Sequence, residues 1–223
     1  MDKVLIVIPI KPNMSKGIYD KMMSKVTALL RNTKTNTSLF IDTRIAPDIE
    51  KKTSWSKVAV IRNQILDDGL WHLFSHLLWI DADVVEMSDD MLDRLLETNP
   101  EGITAPWIKI EGNNTFYDWA AFIIKGTDHI QPENRWHIPN RNINPQPPYF
   151  KEFTSISEWD CVGTVTLVNT DIYKAGARYE DHPAFTDHYP ICKKCRDMGR
   201  KVIMNKDIIV AHADLPKYGE AWH

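Results

Sequence analysis

The sequence predicts an α/β fold in which a largely parallel sheet carries helices on both faces. Two runs point there first: Val4-Leu5-Ile6-Val7-Ile8 and Leu77-Leu78-Trp79-Ile80 are continuously apolar and strand-sized, as strands buried on both faces must be. Around them apolar residues recur at helical spacing, so the first hundred residues read β-α-β-α-β-α. With 223 residues, no internal repeat and no low-complexity linker, one domain over 1–223 is the expected organisation.

Each element has its own signal. The first strand is bounded by Pro9 and Pro12, and Ile18, Met22, Val26, Leu29 and Leu30 then repeat over about three helical turns. Ser38-Leu39-Phe40-Ile41 reads as a second strand ending at Asp42. Ser54 is placed to cap a helix carrying Trp55, Val58, Ile61, Ile65 and Leu66, which stops near Gly69. After the third strand, Ser88 is placed to cap a short helix with Met91, Leu92, Leu95 and Leu96. Beyond residue 100 the rhythm loosens, with short strands expected at 102–106, 119–124 and 164–168. Residues 125–153 hold five of the thirteen prolines and read as a long loop, a length usually tied to function. Thr186 is expected to cap a helix through Met198, stopped by Gly199, before two strands at 200–204 and 208–211.

Composition excludes several classes. At 43% hydrophobic and 26% charged the chain is neither disordered nor collagen-like. A formal charge of -3 argues against a general polyanion binder. No apolar run approaches the roughly 18 residues of a membrane span, and the N-terminus opens directly into a strand without a signal-peptide core. Three cysteines cannot close a disulfide framework. A cytoplasmic protein is the expectation.

The segment richest in chemistry is Asp81-Ala82-Asp83, directly after the third strand. Alternate residues of an extended chain share a face, so both carboxylates could meet one cation. In open α/β sheets ligands bind beyond the carboxyl ends of strands. Twenty aspartates in 223 positions give about two such pairs by chance, yet this is the only one, and it follows a buried strand. Two readings stand: a solvated strand-end turn, or a Mg²⁺ or Mn²⁺ site bridging to a diphosphate. His212, after Ile208-Ile209-Val210-Ala211, is either a structural histidine or a third ligand that would tilt the site toward Mn²⁺.

Together these segments resemble the GT-A class of nucleotide-sugar glycosyltransferases, and in particular the fungal mannan-polymerase type of mannosyltransferase. The resemblance is carried by Val7-Ile8-Pro9, Val60-Ile61-Arg62-Asn63, the nine residues from Leu78 to Glu86, Tyr117-Asp118-Trp119, and the seven from Val162 to Val168. It continues through Ala175-Gly176-Ala177, the helix after Thr186, and Val210-Ala211-His212. It implies a single Rossmann-like GT-A domain with a mixed central sheet. It also implies Mn²⁺ or Mg²⁺ held by Asp81, Asp83 and His212, with a nucleoside-diphosphate sugar as donor. Pro9, Asp42, Arg62, Asp81 and Gly163 fall in the donor-binding segments. Asp81 would face the ribose or the metal, and Arg62, with Asn63, the diphosphate, whose oxygens a guanidinium fork matches. Asp42 would meet the nucleobase, or is simply a strand-end turn residue.

Asp187 is the candidate beside the acceptor, as a general base or an acceptor-positioning acid; the bland reading is that it complements a helix N-terminus. Asp181, with His182 beside it, is the other candidate. The implied acceptor is a glycan, or a hydroxylated DNA base if the chain is phage-encoded.

Weaker signals remain. Cys192-Lys193-Lys194-Cys195 has zinc or redox spacing, but too few further ligands accompany it, so two mid-helix core residues are expected. Trp107, Trp119, Trp136 and Trp159 are expected mostly in the core, with one or two available to stack on a sugar or base. Arg135, Trp136, His137, Arg141, Tyr149 and Phe150 interleave cations with aromatics, as a base-contacting surface, a sugar-acceptor lid or a solvated loop would. A nucleotidyltransferase would need a Gly-rich loop where Ile10-Lys11-Pro12-Asn13 stands. A non-catalytic carbohydrate- or nucleic-acid-binding protein on the same scaffold is the alternative, and such a binder has no need of Asp81, Asp83 and His212 together.

Overall fold

The computed structural model describes residues 2–10, 13–44, 54–113, 116–117, 123–126, 154–180 and 186–219. In chain order the strands are β1 (Lys3–Pro9), β2 (Asn36–Asp42), β3 (His76–Ile80), β4 (Val84–Glu86), β5 (Ile103–Ile110), β6 (Ile123–Ile124), β7 (Ile156–Cys161), β8 (Val165–Asn169) and β9 (Val202–His212). The helices are α1 (Lys16–Asn32), α2 (Ser54–Asp67), α3 (Met91–Thr98), α4 (Asp171–Lys174) and α5 (Tyr189–Asp197), with 3₁₀ turns at Leu70–Leu73 and Leu215–Tyr218.

The strands adjoin in the order β2-β1-β3-β8-β5-β9-β7-β6, and β4 pairs with β9. β1 is parallel to both β2 and β3, as the βα rhythm predicts. β8 inserts antiparallel between β3 and β5, and β9 is parallel to β5. The sheet is therefore mixed, while β1, β2, β3, β5 and β9 all run the same way. The doubly apolar runs occupy its middle: all five residues of β3 are buried, and so are Val4 to Ile8 of β1. Each aliphatic side chain fully buried there contributes about 1.5–3 kcal/mol. α1 turns Ile18, Met22, Val26 and Leu29 inward. α3 does the same with Met91, Leu92, Leu95 and Leu96.

Several local expectations change. The two strands expected at 200–204 and 208–211 are one strand, β9, whose register against β5 slips between Pro106 and Trp107. Lys206, Asp207 and Ile208 lie in this bulge, between the paired Asn205 and Ile209, and no break separates the two halves. β4 and β7 were not expected: β4 is three residues long, and Ser157, Glu158 and Asp160 dilute the apolar signal of β7. Pairing with β9 makes both of them strands. The expected strand at 119–124 is seen only as β6, because 118–122 lie outside the described residues.

The caps expected of Ser88 and Thr186 are not made by their side chains. Among the described residues, the buried hydroxyls of Ser88 and Thr186 have no hydrogen-bond partner. Their carbonyls instead accept from the Met91 and Tyr189 amides at 3.2 and 3.1 Å. The last helix accordingly begins at Tyr189, two residues later than a cap at Thr186 suggests, and Gly199 ends it at φ +73°.

One glycine is dictated by close approach. A Cβ on Gly102, at the entry to β5, would stand 2.1 Å from the Lys201 carbonyl oxygen at the entry to β9. That carbonyl also accepts the Ile103 amide at 3.0 Å, so it has little room to retreat. Gly102→Ala is expected to lower stability by about 1–3 kcal/mol, the usual cost of forced overpacking. A urea-unfolding midpoint equal to wild type would show that the two strand entries separate at no cost.

Candidate functional site

Because β1, β2, β3 and β9 run the same way, Pro9, Asp42, Asp81, Asp83 and His212 all come to one edge of the sheet. Thr164 joins them from the start of the antiparallel β8, and its carbonyl accepts the Asp81 amide at 3.3 Å. Thr164 itself takes φ +58°, an uncommon left-handed conformation for a residue other than glycine. Gly163 precedes it and is buried.

The acidic pair does not sit on an extended chain. Residues 81–84 form a turn, closed by the Val84 amide on the Asp81 carbonyl at 3.1 Å, so alternation does not govern the two carboxylates. Asp83 turns to β9. Val84 pairs with His212, the Ala213 amide donates to the Asp83 carbonyl at 2.7 Å, and Asp83 Oδ2 comes to 3.0 Å from His212 Nε2. The other imidazole nitrogen, Nδ1, donates to the Ala213 carbonyl at 2.9 Å, since a carbonyl oxygen can only accept. Burial pushes the His212 pKa down, but the charge and hydrogen bond of Asp83, with smaller help from Ala213 and Asp81, hold it above the ordinary value. Tyr117 stacks on the ring, centroids 3.9 Å apart and planes 21° from parallel.

Asp81 turns instead to α2, where Arg62 Nη2 donates to its Oδ1 at 2.8 Å. Arg62 is only 2% exposed. Its Nη1 donates to Asp187 Oδ2 at 2.5 Å and also faces His188 Nε2 at 2.8 Å. The guanidinium carbon lies 5.2 Å from the Tyr179 ring centre and 5.9 Å from that of Trp79. Burial disfavours the cation, but Asp187 and Asp81 outweigh it and keep the pKa raised. An arginine nitrogen has no lone pair to offer, so His188 Nε2 must accept and the ring must be neutral. Burial first, then Arg62, pushes the His188 pKa down to about 3.

The other expected site residues make the following contacts. Arg62 points its nitrogens at two carboxylates and an imidazole. Asn63 clasps the Tyr179 backbone, donating to its carbonyl at 2.6 Å and accepting its amide at 2.9 Å. Asp187 is 1% exposed and lies in the turn before α5, so its partner is Arg62 rather than the helix amides. Asp42 is gripped by Arg44, whose Nε lies 2.9 and 3.0 Å from its two oxygens, and Arg44 reaches on to Asp68. Pro9 pairs in register with Asp42 at the end of β1.

Cys192 and Cys195 are buried in α5, with their sulfurs directed at different carbonyls, of Val162 and Lys201. Burial pushes the Cys195 thiol up to about 12. Trp159 is in the core, and Trp107 lies against Phe116. Asp181, His182, Asp118, Trp119 and the aromatic and basic residues of 135–150 lie outside the described residues. His188 was missed by the sequence reading; its only signal was its position next to Asp187. Among the described residues no three His, Cys, Asp or Glu side chains are gathered as a ready metal cage, and no helix is long and apolar enough to cross a membrane.

No protein-family model matches the chain. Mannan polymerase complex subunit mnn9 of Schizosaccharomyces pombe is 25% identical over 184 residues, covering 76% of this chain and 54% of the relative. The chain thus spans about half the length of that curated relative. Among solved structures, GalNAc-T7 with UDP, GalNAc and Mn²⁺ superposes with a TM-score of 0.55 at 12% identity, covering 95% of this chain and 43% of that one. A glycosyltransferase involved in glycosylation of the major capsid of PBCV-1 gives a TM-score of 0.49 at 12% identity, covering 94% and 92%. The fold is that of the GT-A nucleotide-diphospho-sugar transferases.

Two outcomes follow from the buried cation and its partners. Asp187→Ala removes one counter-charge from Arg62 and should cost about 3–5 kcal/mol in chemical denaturation, as unpairing a buried ion pair does. A loss below about 1 kcal/mol would mean that the guanidinium finds another partner. His188 has its folded pKa near 3, below the unfolded value near 6.5, so its contribution is intact above about pH 6.5 and is lost as pH falls toward 3. Relative to wild type, His188→Gln should therefore gain stability through that window by about 1.4 kcal/mol per pH unit. Parallel pH–stability curves for the two proteins would contradict a neutral buried His188.

Proposed function

We propose that the chain is a glycosyltransferase that moves a sugar from a nucleoside-diphosphate donor to an acceptor hydroxyl, with a divalent cation held by Asp83, His212 and Asp81. The observation that carries this reading is the Asp83–His212 pair, two ligand-type atoms 3.0 Å apart at the sheet edge of a GT-A fold. The pair fits a cation. His212 commits Nδ1–H to the Ala213 carbonyl, so Nε2 carries the lone pair once the ring is neutral, and Asp83 Oδ2 already faces it. Asp81 acts on the same imidazole through its charge. Carboxylates joined by one imidazole favour Mn²⁺ over Mg²⁺. When bound, such a cation neutralises the diphosphate that leaves the sugar.

The chain's own groups then divide the work. Asp83 and His212 bind, while the Ala213 carbonyl and the stacked Tyr117 ring fix the imidazole. Arg62 orients Asp81 from behind the site. Asp187, buried against Arg62, serves as its counter-charge; acceptor deprotonation is assigned to Asp181, the second candidate of the sequence. A glycan is the acceptor this reading favours, in keeping with the sequence likeness to a mannan polymerase subunit.

The test is a thermal-shift screen with UDP-, GDP-, CDP- and dTDP-sugars, each with and without Mn²⁺, on wild type and Asp83→Ala. Wild type should be stabilised by one donor class only when Mn²⁺ is present. Asp83→Ala should lose that stabilisation while its ligand-free melting point stays close to wild type, since Asp83 lies in a partly exposed turn. Equal donor affinity in the two proteins would sink the assignment.

A further inference from the structure

We propose that His188 is a positioning residue, which fixes the Arg62 guanidinium so that Asp81 presents its carboxylate to the proposed cation site; this rests on the glycosyltransferase reading above. The argument is one of hydrogens. Nη1 of Arg62 carries two, and both acceptors lie within reach: Asp187 Oδ2 at 2.5 Å and His188 Nε2 at 2.8 Å. With Asp187 as the sole acceptor on Nη1, the plane would be set by that bond and by the Nη2 bond to Asp81 alone. Two acceptors on the same nitrogen set the plane, and the plane sets where Nη2 points. It points to Asp81 Oδ1 at 2.8 Å.

His188 is itself held. It is 4% exposed, and Tyr179 meets it edge-on with ring centres 5.7 Å apart and planes at 87°. Tyr179 is fixed in turn by Asn63 on its backbone and by a 2.8 Å hydroxyl contact to Tyr173. The Tyr173 hydroxyl accepts from Trp79 Nε1 at 2.9 Å, one residue before the end of β3. The imidazole acts as a neutral acceptor in a rigid wall, and a carboxylate there would add a third negative charge around one arginine. A purely packing role would need only the ring's volume, and this is the distinction to test.

Three substitutions separate the roles in the full chain: His188→Gln, whose amide oxygen reaches the position of Nε2; His188→Asn, which stops short of it; and His188→Leu, which fills space without an acceptor. Mn²⁺ affinity is measured by electron paramagnetic resonance titration in the presence of the nucleoside diphosphate selected in the donor screen, alongside a melting curve for each variant. The Asn and Leu variants should bind Mn²⁺ about tenfold more weakly, the lower end of what is lost when a supporting partner of a metal ligand is removed. Gln should stay within about threefold of wild type. The proposal is overturned if Leu and Asn bind Mn²⁺ as wild type does, or if all three weaken together in step with their melting points. Should Leu fail to fold, the Gln–Asn comparison decides alone. Wild type that binds no Mn²⁺ with any nucleoside diphosphate would instead bring down the metal reading itself, and this proposal with it.

Discussion

A guanidinium taken out of water has to be surrounded by negative charge and ring faces, and this requirement organises the sheet edge. Arg62 comes from α2, Asp81 from the end of β3, and Asp187 and His188 from the turn before α5. Segments separated by 19 and by 125 residues are held to one another through a single side chain. Such a cluster is not a large source of net stability, because desolvating the cation offsets most of the attraction. Its effect is geometric: any rearrangement of one segment would leave a buried charge unmet.

The same edge depends on β9 being long. Its first half pairs with β5 and β7, and its last residue, His212, pairs with Val84 of the three-residue β4. β4 has little stability of its own, so the backbone bond from the Ala213 amide to the Asp83 carbonyl is what brings Asp83 to the imidazole. The bulge at Pro106/Trp107 lets the two ends of β9 keep different registers against β5. A site at the end of a bulged strand can thus be re-aimed without disturbing the core beneath it.

Much of the fold could be read in the chain because its signals are local. The apolar runs of β1 and β3, the helical repeat from Ile18 to Leu29 and the stop at Gly199 each report burial or backbone freedom at their own positions. The caps assigned to Ser88 and Thr186 failed because backbone turns close those helix starts and the hydroxyls are not used. β4 and β7 escaped notice because what makes them strands is their partner, and a partner leaves no mark on a three-residue or half-polar segment.

The candidate site divides along the same line. By itself the sequence determined that acids follow β3 and that a histidine ends the last strand, since both follow from where apolar runs stop. It also determined that one edge of the sheet would collect them, because parallel strands end together. Only the tertiary structure decided who meets whom: Asp83 with His212, Asp81 with Arg62, and Arg62 with Asp187 and a neutral His188. Side-chain pairing across long sequence separations is set by strand register and by the need to neutralise buried charge. Neither is written at any single position of the chain.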